Sequence, residues 1–456
     1  MGRIRPVTET LPSYDFLVYK DGDYYKVQDG ESLGTVYKDK NASAAIQKAI
    51  NDAQSSGVVL IKTGDYYIDT TINLDSNKTL KGEIGATLHL IEGKEIDIIK
   101  ITNAERITIS GLTINGHEYV QMQEWAGIRI GDNVRYVRIE NCRIIDMHGI
   151  GISLVGSSIE RNIITHNEVI SNRRGIMLVG GGLWNNEISG NIVIYNEEYG
   201  IQDASSGGEA GGNRIIGNLV SWNGWSAIAL FGSYQNNNEI VANNYCEYNG
   251  HCGILAEHSG VRTAVIIGNI ILNNYQHGVC LRGVEYCQII GNLILGSGKD
   301  STNTYSNLYL EPYNGSGGRY NLIALNMLKD NPWEVGTQKY GIFEDSGCQN
   351  NIFCYNIVLS GDTAKMLIQG SGSKVYSNYG FTTESSGEAT ITAGNTYVEV
   401  SHGLDITPDI NKIRITPKDN LNGRDYWISD VNSSTFRINI SSSDSVDHTF
   451  GWSYYN

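Results

Sequence analysis

Four short stretches decide the fold: Ile215-Ile-Gly-Asn218, Ile240-Val-Ala-Asn243, Val265-Ile-Ile-Gly-Asn269 and Ile289-Ile-Gly-Asn292. The same apolar-apolar-x-Asn phrase ends earlier at Asn141, Asn167 and Asn191, so the seven asparagines are separated by 26, 24, 27, 25, 26 and 23 residues. Weaker copies follow at Asn326, Asn356 and Asn378. Between the phrases a second short apolar segment opens with Gly-Ile or Gly-Val, as at Gly149-Ile150, Gly175-Ile176, Gly253-Ile254 and Gly278-Val279. A period near 25 filled by strands of three to five residues is not a helical repeat. It fits one coil of a parallel β-solenoid, in which each coil buries its apolar side chains by stacking on its neighbours. One asparagine per coil predicts an internal ladder whose amides bond the coils above and below at a turn.

Outward from these repeats the pattern changes. Asn41-Ala-Ser-Ala-Ala-Ile-Gln-Lys-Ala-Ile-Asn-Asp-Ala53 has the apolar spacing of an amphipathic helix, placed to cover the open end of the first coil. Phe16 to Val27 reads as a hairpin turning at Asp21-Gly22. Beyond Thr383 the asparagines lose their period, and strand and turn signals alternate as in an antiparallel sandwich. The expected organisation is a hairpin arm over 1–40, a β-solenoid over 41–382, a linker over 383–388 and a small β-sandwich over 389–456.

Composition narrows the function. Among 456 residues there are 53 glycines and only 6 prolines, a balance that favours tight turns over flexible linkers. A net charge of −15 argues against a nucleic-acid partner. No apolar run approaches the ~18–20 residues that span a bilayer, so no membrane partner is expected. The polar stretch from Met1 to Asp15 has no secretory core, so no signal peptide is expected in this chain. Seven cysteines have no metal-knuckle spacing, and no metal or other cofactor is expected.

The segment Ala45-Ile-Gln-Lys-Ala-Ile50, followed by Gly57-Val-Val-Leu-Ile-Lys-Thr-Gly64 and Tyr67-Ile68, resembles the start of the pectate-lyase-like right-handed β-helix superfamily. Together with the hairpin and the C-terminal sandwich, the whole resembles viral tailspike or tail-associated proteins. The resemblance covers 41–382. It implies an all-β chain: a right-handed parallel β-helix with an N-terminal hairpin and capping helix, plus a small C-terminal antiparallel β-sandwich. It also implies a polysaccharide partner, self-association as a homotrimer, and a location on a virion or cell surface. The superfamily hosts lyases, hydrolases, epimerases and inert fibres. Neither the calcium-binding aspartates of pectate lyases nor the paired aspartates of polygalacturonases are present here.

Aligning the second strands on Ile254, Val279, Leu308 and Ile342 sends the residue three further on outward, which is Glu257, Arg282, Glu311 and Asp345. Ser153, Val179, Ala204 and Phe231 fall in the same column earlier, so the charged run is local. Rungs ~4.8 Å apart put Glu257 and Glu311 about 9–10 Å apart and Glu311 and Asp345 near 5 Å, which bracket the two glycosidase geometries. These four are the catalytic candidates. Glu311 is read as the acid, Glu257 or Asp345 as the water-activating base, and Arg282 as the substrate-orienting group. A solubilising charge ladder is the alternative. Tyr309, Tyr313, Trp333, His258 and His277 are candidates for holding sugar. His148, Arg174, Tyr199, Trp225, His251 and His277, each just before a second strand, form a further set able to supply a base or to act as turn residues. On this alignment Glu344 points inward. Met177, Val179, Ala229, Phe231 and Leu255 point outward as an apolar stripe to be covered by the sandwich or by partner subunits.

Overall fold

The computed structural model describes residues 14–117, 125–205, 210–232, 236–301, 303–330, 338–359 and 361–455. About a dozen coils wind into a right-handed parallel β-solenoid. Each coil gives one short strand to each of three long sheets, of 16, 12 and 12 strands, and a six-stranded ribbon runs beside the first sheet. One coil is typical: Ile163–Thr165 lies in sheet one, Glu168–Ile170 in sheet two and Arg174–Gly180 in sheet three. Alternation then fixes the core. Ile164, Val169, Ile176 and Leu178 point in and are buried, while the residues between them face outward.

The turns carry not one asparagine ladder but three. The middle one runs through Asn167, Asn191, Asn218, Asn244, Asn269, Asn292, Asn326, Asn356 and Asn378. In each step the Oδ1 accepts both the backbone N–H and the Nδ2 of the asparagine one coil earlier, as at Asn218, with distances of 2.9 and 3.0 Å. A second ladder contains Asn162, Asn186 and Asn213, and a third Asn172, Asn196, Asn223, Asn249 and Asn274. The expected positions Asn141 and Asn243 are off by one. Both hold the left-handed backbone that precedes the ladder residue, with φ of 52° and 55°. The buried places are taken by Cys142, whose N–H bonds Asn167, and by Asn244. The Asn-Asn pair at 243–244 hides this, because asparagine suits both a left-handed turn and an amide ladder.

The ends follow from the same pairing. The helix Ala42–Asp52 is N-capped by Asn41, whose side chain accepts from the Ala44 N–H, and it buries Ala45, Ile46, Ala49 and Ile50 against the first coil. The hairpin Phe16–Asp21 and Tyr24–Asp29 is joined by a third strand, Thr35–Asp39. It is continuous with sheet one, since Phe16–Asp21 pairs in parallel with Val58–Ile61. Two three-stranded antiparallel sheets near the C-terminus close on Phe436, Ile438, Phe450 and Trp452. Their first strand is Ser385–Ile391, so residues 385–388 of the expected linker pair with His448–Tyr454. Small polar residues suit an edge strand as well as a linker, and composition does not separate the two.

Where an asparagine ladder is interrupted, charge enters the core. After Asn213 the equivalent place falls to Glu239, which is 1% exposed and has no hydrogen-bond partner among the described residues on either carboxylate oxygen. Burial, and after it the nearby Asp203 charge, pushes its carboxyl up to about 9. At the other end of this column Asn351 is met by Glu344, an inward residue of sheet three, which accepts from Asn351 Nδ2 at 2.7 Å, Ser373 Oγ at 2.7 Å and Gly370 N–H at 3.0 Å. The inward register expected for Glu344 is therefore the observed one.

Two outcomes are expected. Asn218→Ala and Asn244→Ala should each cost about 1–3 kcal/mol, because each strands buried partners. Asn243→Gly should stay within about 0.5 kcal/mol, since the residue is exposed and its backbone already left-handed. Thermal midpoints of the three variants check this. For Glu239, the unfolded chain ionises near the ordinary 4.5 and the folded chain near about 9. Its contribution is complete below the lower value and is lost as the pH rises toward the higher one. Glu239→Gln should therefore raise the thermal midpoint relative to the parent at pH 8 and lose that advantage at pH 4.

Candidate functional site

The charged column exists in the expected register. On sheet three Phe231 pairs with Glu257, Glu257 with Arg282 and Arg282 with Glu311. Asp345 continues the column, its N–H bonding Leu310 O at 2.9 Å. Arg282 lies between its neighbours and holds both: its Nη1 reaches Glu257 Oε2 at 3.0 Å, and its Nε donates to Glu311 Oε1. The second Glu311 oxygen accepts from the Tyr309 hydroxyl at 3.1 Å. Asp345 instead turns to its own loop, accepting from Gly347 N–H at 3.1 Å. The early part of the column corrects one placement. Val155, not Ser153, pairs with Val179, because the strand Ile150–Val155 runs two residues further before its turn.

Around the column, Tyr313 and His258 meet edge to face with centroids 4.7 Å apart, His258 lies 3.6 Å from Glu257, and Arg282 stands 6.0 Å from the centre of the Tyr313 ring. The charge of Glu257, and a hydrogen bond to it, raise the Tyr313 phenol above its ordinary value. Tyr309 does not offer a free face, since His277 stacks on one side at 4.7 Å and Phe343 on the other at 5.1 Å. His277 is held in this wall by the Ser306 N–H, which donates to its Nδ1 at 3.1 Å, and burial pushes its imidazole down to about 3. It is neutral throughout the physiological range and reads as a support for Tyr309. Trp333 lies outside the described residues.

The apolar stripe is covered from within the chain. Ala229, Leu255, Cys252 and Cys280 pack with Tyr199, Phe231 and Tyr309, and Met177 packs with Ala126, Ile150, Val155 and Val179. Met177, Ala229 and Leu255 are buried by these neighbours, so the stripe supplies no argument for a partner subunit. The set just before the third sheet forms a corner. Tyr199 and Trp225 meet edge to face at 4.8 Å, Trp225 stacks on His251 at 6.0 Å, and Arg174 pairs with Glu198.

One cluster has no counterpart in the sequence reading. At the other end of sheet two, Asp65 Oδ1 lies 2.7 Å from His89 Nε2, and His89 Nδ1 lies 2.6 Å from His117 Nε2. Tyr67 stacks on His89 at 5.2 Å. Burial, and after it the neighbouring His89, holds His117 below its ordinary value. The signal was a 28-residue spacing between the two histidines, hidden because only His89 lies in a strand. Among the described residues no group of three or more His, Cys, Asp or Glu side chains is arranged to hold a metal ion. No helix among them is long and apolar enough to cross a membrane.

Residues 40–220 match the family described as right handed beta helix region. No curated protein sequence matches the chain. Among solved structures, the A-module of a mannuronan C-5 epimerase from Azotobacter vinelandii is similar over 74% of this chain and 95% of its own, with a TM-score of 0.65 and 17% identity. The Dettilon tailspike protein covers 91% of this chain and 90% of its own, with a TM-score of 0.59 and 15% identity. The tailspike of E. coli bacteriophage HK620, solved with a hexasaccharide, covers the same shares with a TM-score of 0.53 and 11% identity. At these identities the likeness is one of fold.

Arg282→Ala should remove the shared counter-charge of Glu257 and Glu311. In a double-mutant cycle with Glu311→Gln the coupling should be about 0.5–1 kcal/mol, reduced by the solvent exposure of Arg282 and shrinking further in high salt. Thermal unfolding of the four proteins measures it.

Proposed function

We propose that the chain binds a polysaccharide along its flank and cleaves it, by hydrolysis ahead of β-elimination, at the Glu257–Arg282–Glu311–Asp345 column. The observation that carries this is a pair of carboxylates on alternate rungs with a guanidinium fixed between them, beside Tyr313 and His258. The supporting likeness is to two tailspikes, one solved with a hexasaccharide, and to a mannuronan epimerase module. Two rungs at ~4.8 Å fall near the upper end of the separation that lets a water enter between acid and base. In this reading Glu311 delivers the proton, Glu257 activates water, and Arg282 orients the polymer once the docking chain has drawn it off Glu311.

A non-catalytic, glycan-binding fibre is the second reading. It is favoured by the same guanidinium, because an acid-base-acid row whose charges already satisfy one another is complete as a structural ladder.

Incubation with capsular, cell-wall and algal polysaccharides, followed by assays for reducing ends and for unsaturated uronates, separates the readings. New reducing ends alone are expected. Both signals together would indicate a lyase, and binding without either would leave the fibre. Glu311→Gln should lower cleavage by at least about 100-fold and Glu257→Gln by at least about 10-fold, with sugar binding retained. Full activity in both variants would remove this column from the chemistry.

A further inference from the structure

At the corner between sheets two and three, six successive coils turn on one left-handed residue placed just before a ladder position. Successive coils put Asp146, Ser171, Tyr195, Trp222, Tyr248 and Asn273 there, with φ of 56°, 55°, 58°, 58°, 54° and 51°. Backbone bonds from Asp146 to Ile170, Ser171 to Ile194, Tyr195 to Ser221, Trp222 to Glu247 and Tyr248 to Leu272 fix that order along the axis. Asparagine or glycine is the low-cost occupant of such a backbone, and a bulky aromatic is not. Three consecutive coils nevertheless use aromatics, although Asn273 shows that asparagine serves here.

The three rings form a stack. Tyr195 and Trp222 have centroids 6.3 Å apart at 24°, and Trp222 and Tyr248 4.3 Å apart at 20°. One end is closed by Lys299, whose Nζ stands 4.9 Å from the centre of the Tyr248 ring. At the other end the next side chain is Ser171, too short to cover a ring. Among the described residues no ring stacks on the far face of Tyr195, which is 56% exposed. The space in front of that face is a recess of about 380 Å³ lined by Asp146, Met147, His148, Ser171, Tyr195 and Glu197. That volume lies within the usual range of small-molecule sites, about 300–1,000 Å³.

We propose that this recess is a sugar subsite in which a pyranose ring takes the vacant place in the stack. The inference rests on the reading of the chain as a polysaccharide binder and adds where and what it binds. The weakly positive C–H face of a pyranose matches the negative face of an aromatic ring, and Tyr195 presents such a face. The Glu197 carboxylate, with that of Asp146 beside it, accepts hydroxyl protons at the rim. Those same carboxylates, on a chain of net charge −15, repel a uronate or a phosphate. The sugar at this subsite is therefore a neutral hexose unit, within a polymer that runs along the corner of the solenoid.

The fold itself supplies the test. Positions 195, 222 and 248 show that an aromatic fits this backbone, so Ser171→Tyr should fold, extend the stack by one ring and fill the recess. Tyr195→Ser should empty the platform instead. Both variants, with thermal midpoints recorded, are compared with the parent chain and Glu311→Gln on an array of bacterial surface, algal and plant polysaccharides. The expected result is that the parent binds a polymer containing neutral hexoses, that Ser171→Tyr and Tyr195→Ser each bind it at least tenfold more weakly, and that Glu311→Gln binds it as the parent does. Parental affinity in either variant, provided it is folded, would overturn the subsite while leaving the polysaccharide reading intact. Binding only to pure polyuronates would overturn the neutral-hexose assignment. If the parent binds nothing on the array, the polysaccharide reading and the subsite fall together.

Discussion

The hydrogen bond between stacked asparagine amides is the interaction on which the rest of this molecule depends. A parallel solenoid must turn its backbone several times per coil inside a dry core, and each turn leaves polar groups that water cannot reach. An asparagine just inside the turn answers both sides of the problem. Its Oδ1 takes the backbone N–H and side-chain Nδ2 of the coil before, and its own Nδ2 bonds a main-chain carbonyl, as Asn191 does with Asn167 and Ile164. Because each amide is polarised by the next, the ladder strengthens along its length. Its geometry then dictates the corner. The residue before the asparagine is left-handed, and the strands on either side leave in fixed directions.

Outward side chains consequently fall into straight columns separated by one strand spacing. Glu257, Arg282 and Glu311 are side by side for the same reason that Ile254, Val279 and Leu308 are stacked inside. The ladders also show where the cost of charge is met. Glu344, inward on sheet three, meets the end of one ladder with three hydrogen bonds, whereas Glu239, within that ladder, has none among the described residues, so two buried glutamates have opposite satisfaction. The difference is whether a polar neighbour from the adjacent coil is within reach.

Much of this was legible in the sequence, to the extent that a period determines it. The period near 25 predicted the coils, and strand alternation placed Glu257, Arg282, Glu311, Asp345 and even Glu344 on the correct faces. The reading failed where one residue type suits two neighbouring roles. Asn243 and Asn244 are the clearest case, and Asn141 before Cys142 is the same error in another form. The second and third ladders went unread because Asn162 and Asn172 lie outside the apolar phrase that was used to find the first. Ser153 was misplaced because Gly149-Ile150 and Gly151-Ile152 both offer a Gly-Ile start, and it is Ile152 that pairs with Ile176. The exposure assigned to Met177, Ala229 and Leu255 was wrong for a different reason. Facing outward from a sheet is a matter of alternation, but being bare depends on what neighbouring corners and loops lay over it, and here Tyr199, Phe231 and Tyr309 lie over part of it.

The aromatic corner was unreadable in a more instructive way. Tyr195, Trp222 and Tyr248 occupy positions where local preference calls for glycine or asparagine, and no periodicity of apolar residues marks them. A locally disfavoured residue persists only where the surrounding structure over-determines its backbone. The ladder asparagines Asn196, Asn223 and Asn249, each the next residue along, provide that constraint. The corner can therefore hold three large rings in a strained conformation without loosening the coil. Departures from local rules concentrate at functional sites when the remainder of the fold is consistent with itself. In this chain left-handed aromatics stand at other corners too, at Tyr136, Tyr286, Tyr320 and Tyr355, so the departures collect on the outside of the solenoid while the asparagine columns behind them obey the rules over most of their length. A scaffold fixed so completely from within leaves its outer columns free to be specified by what they contact.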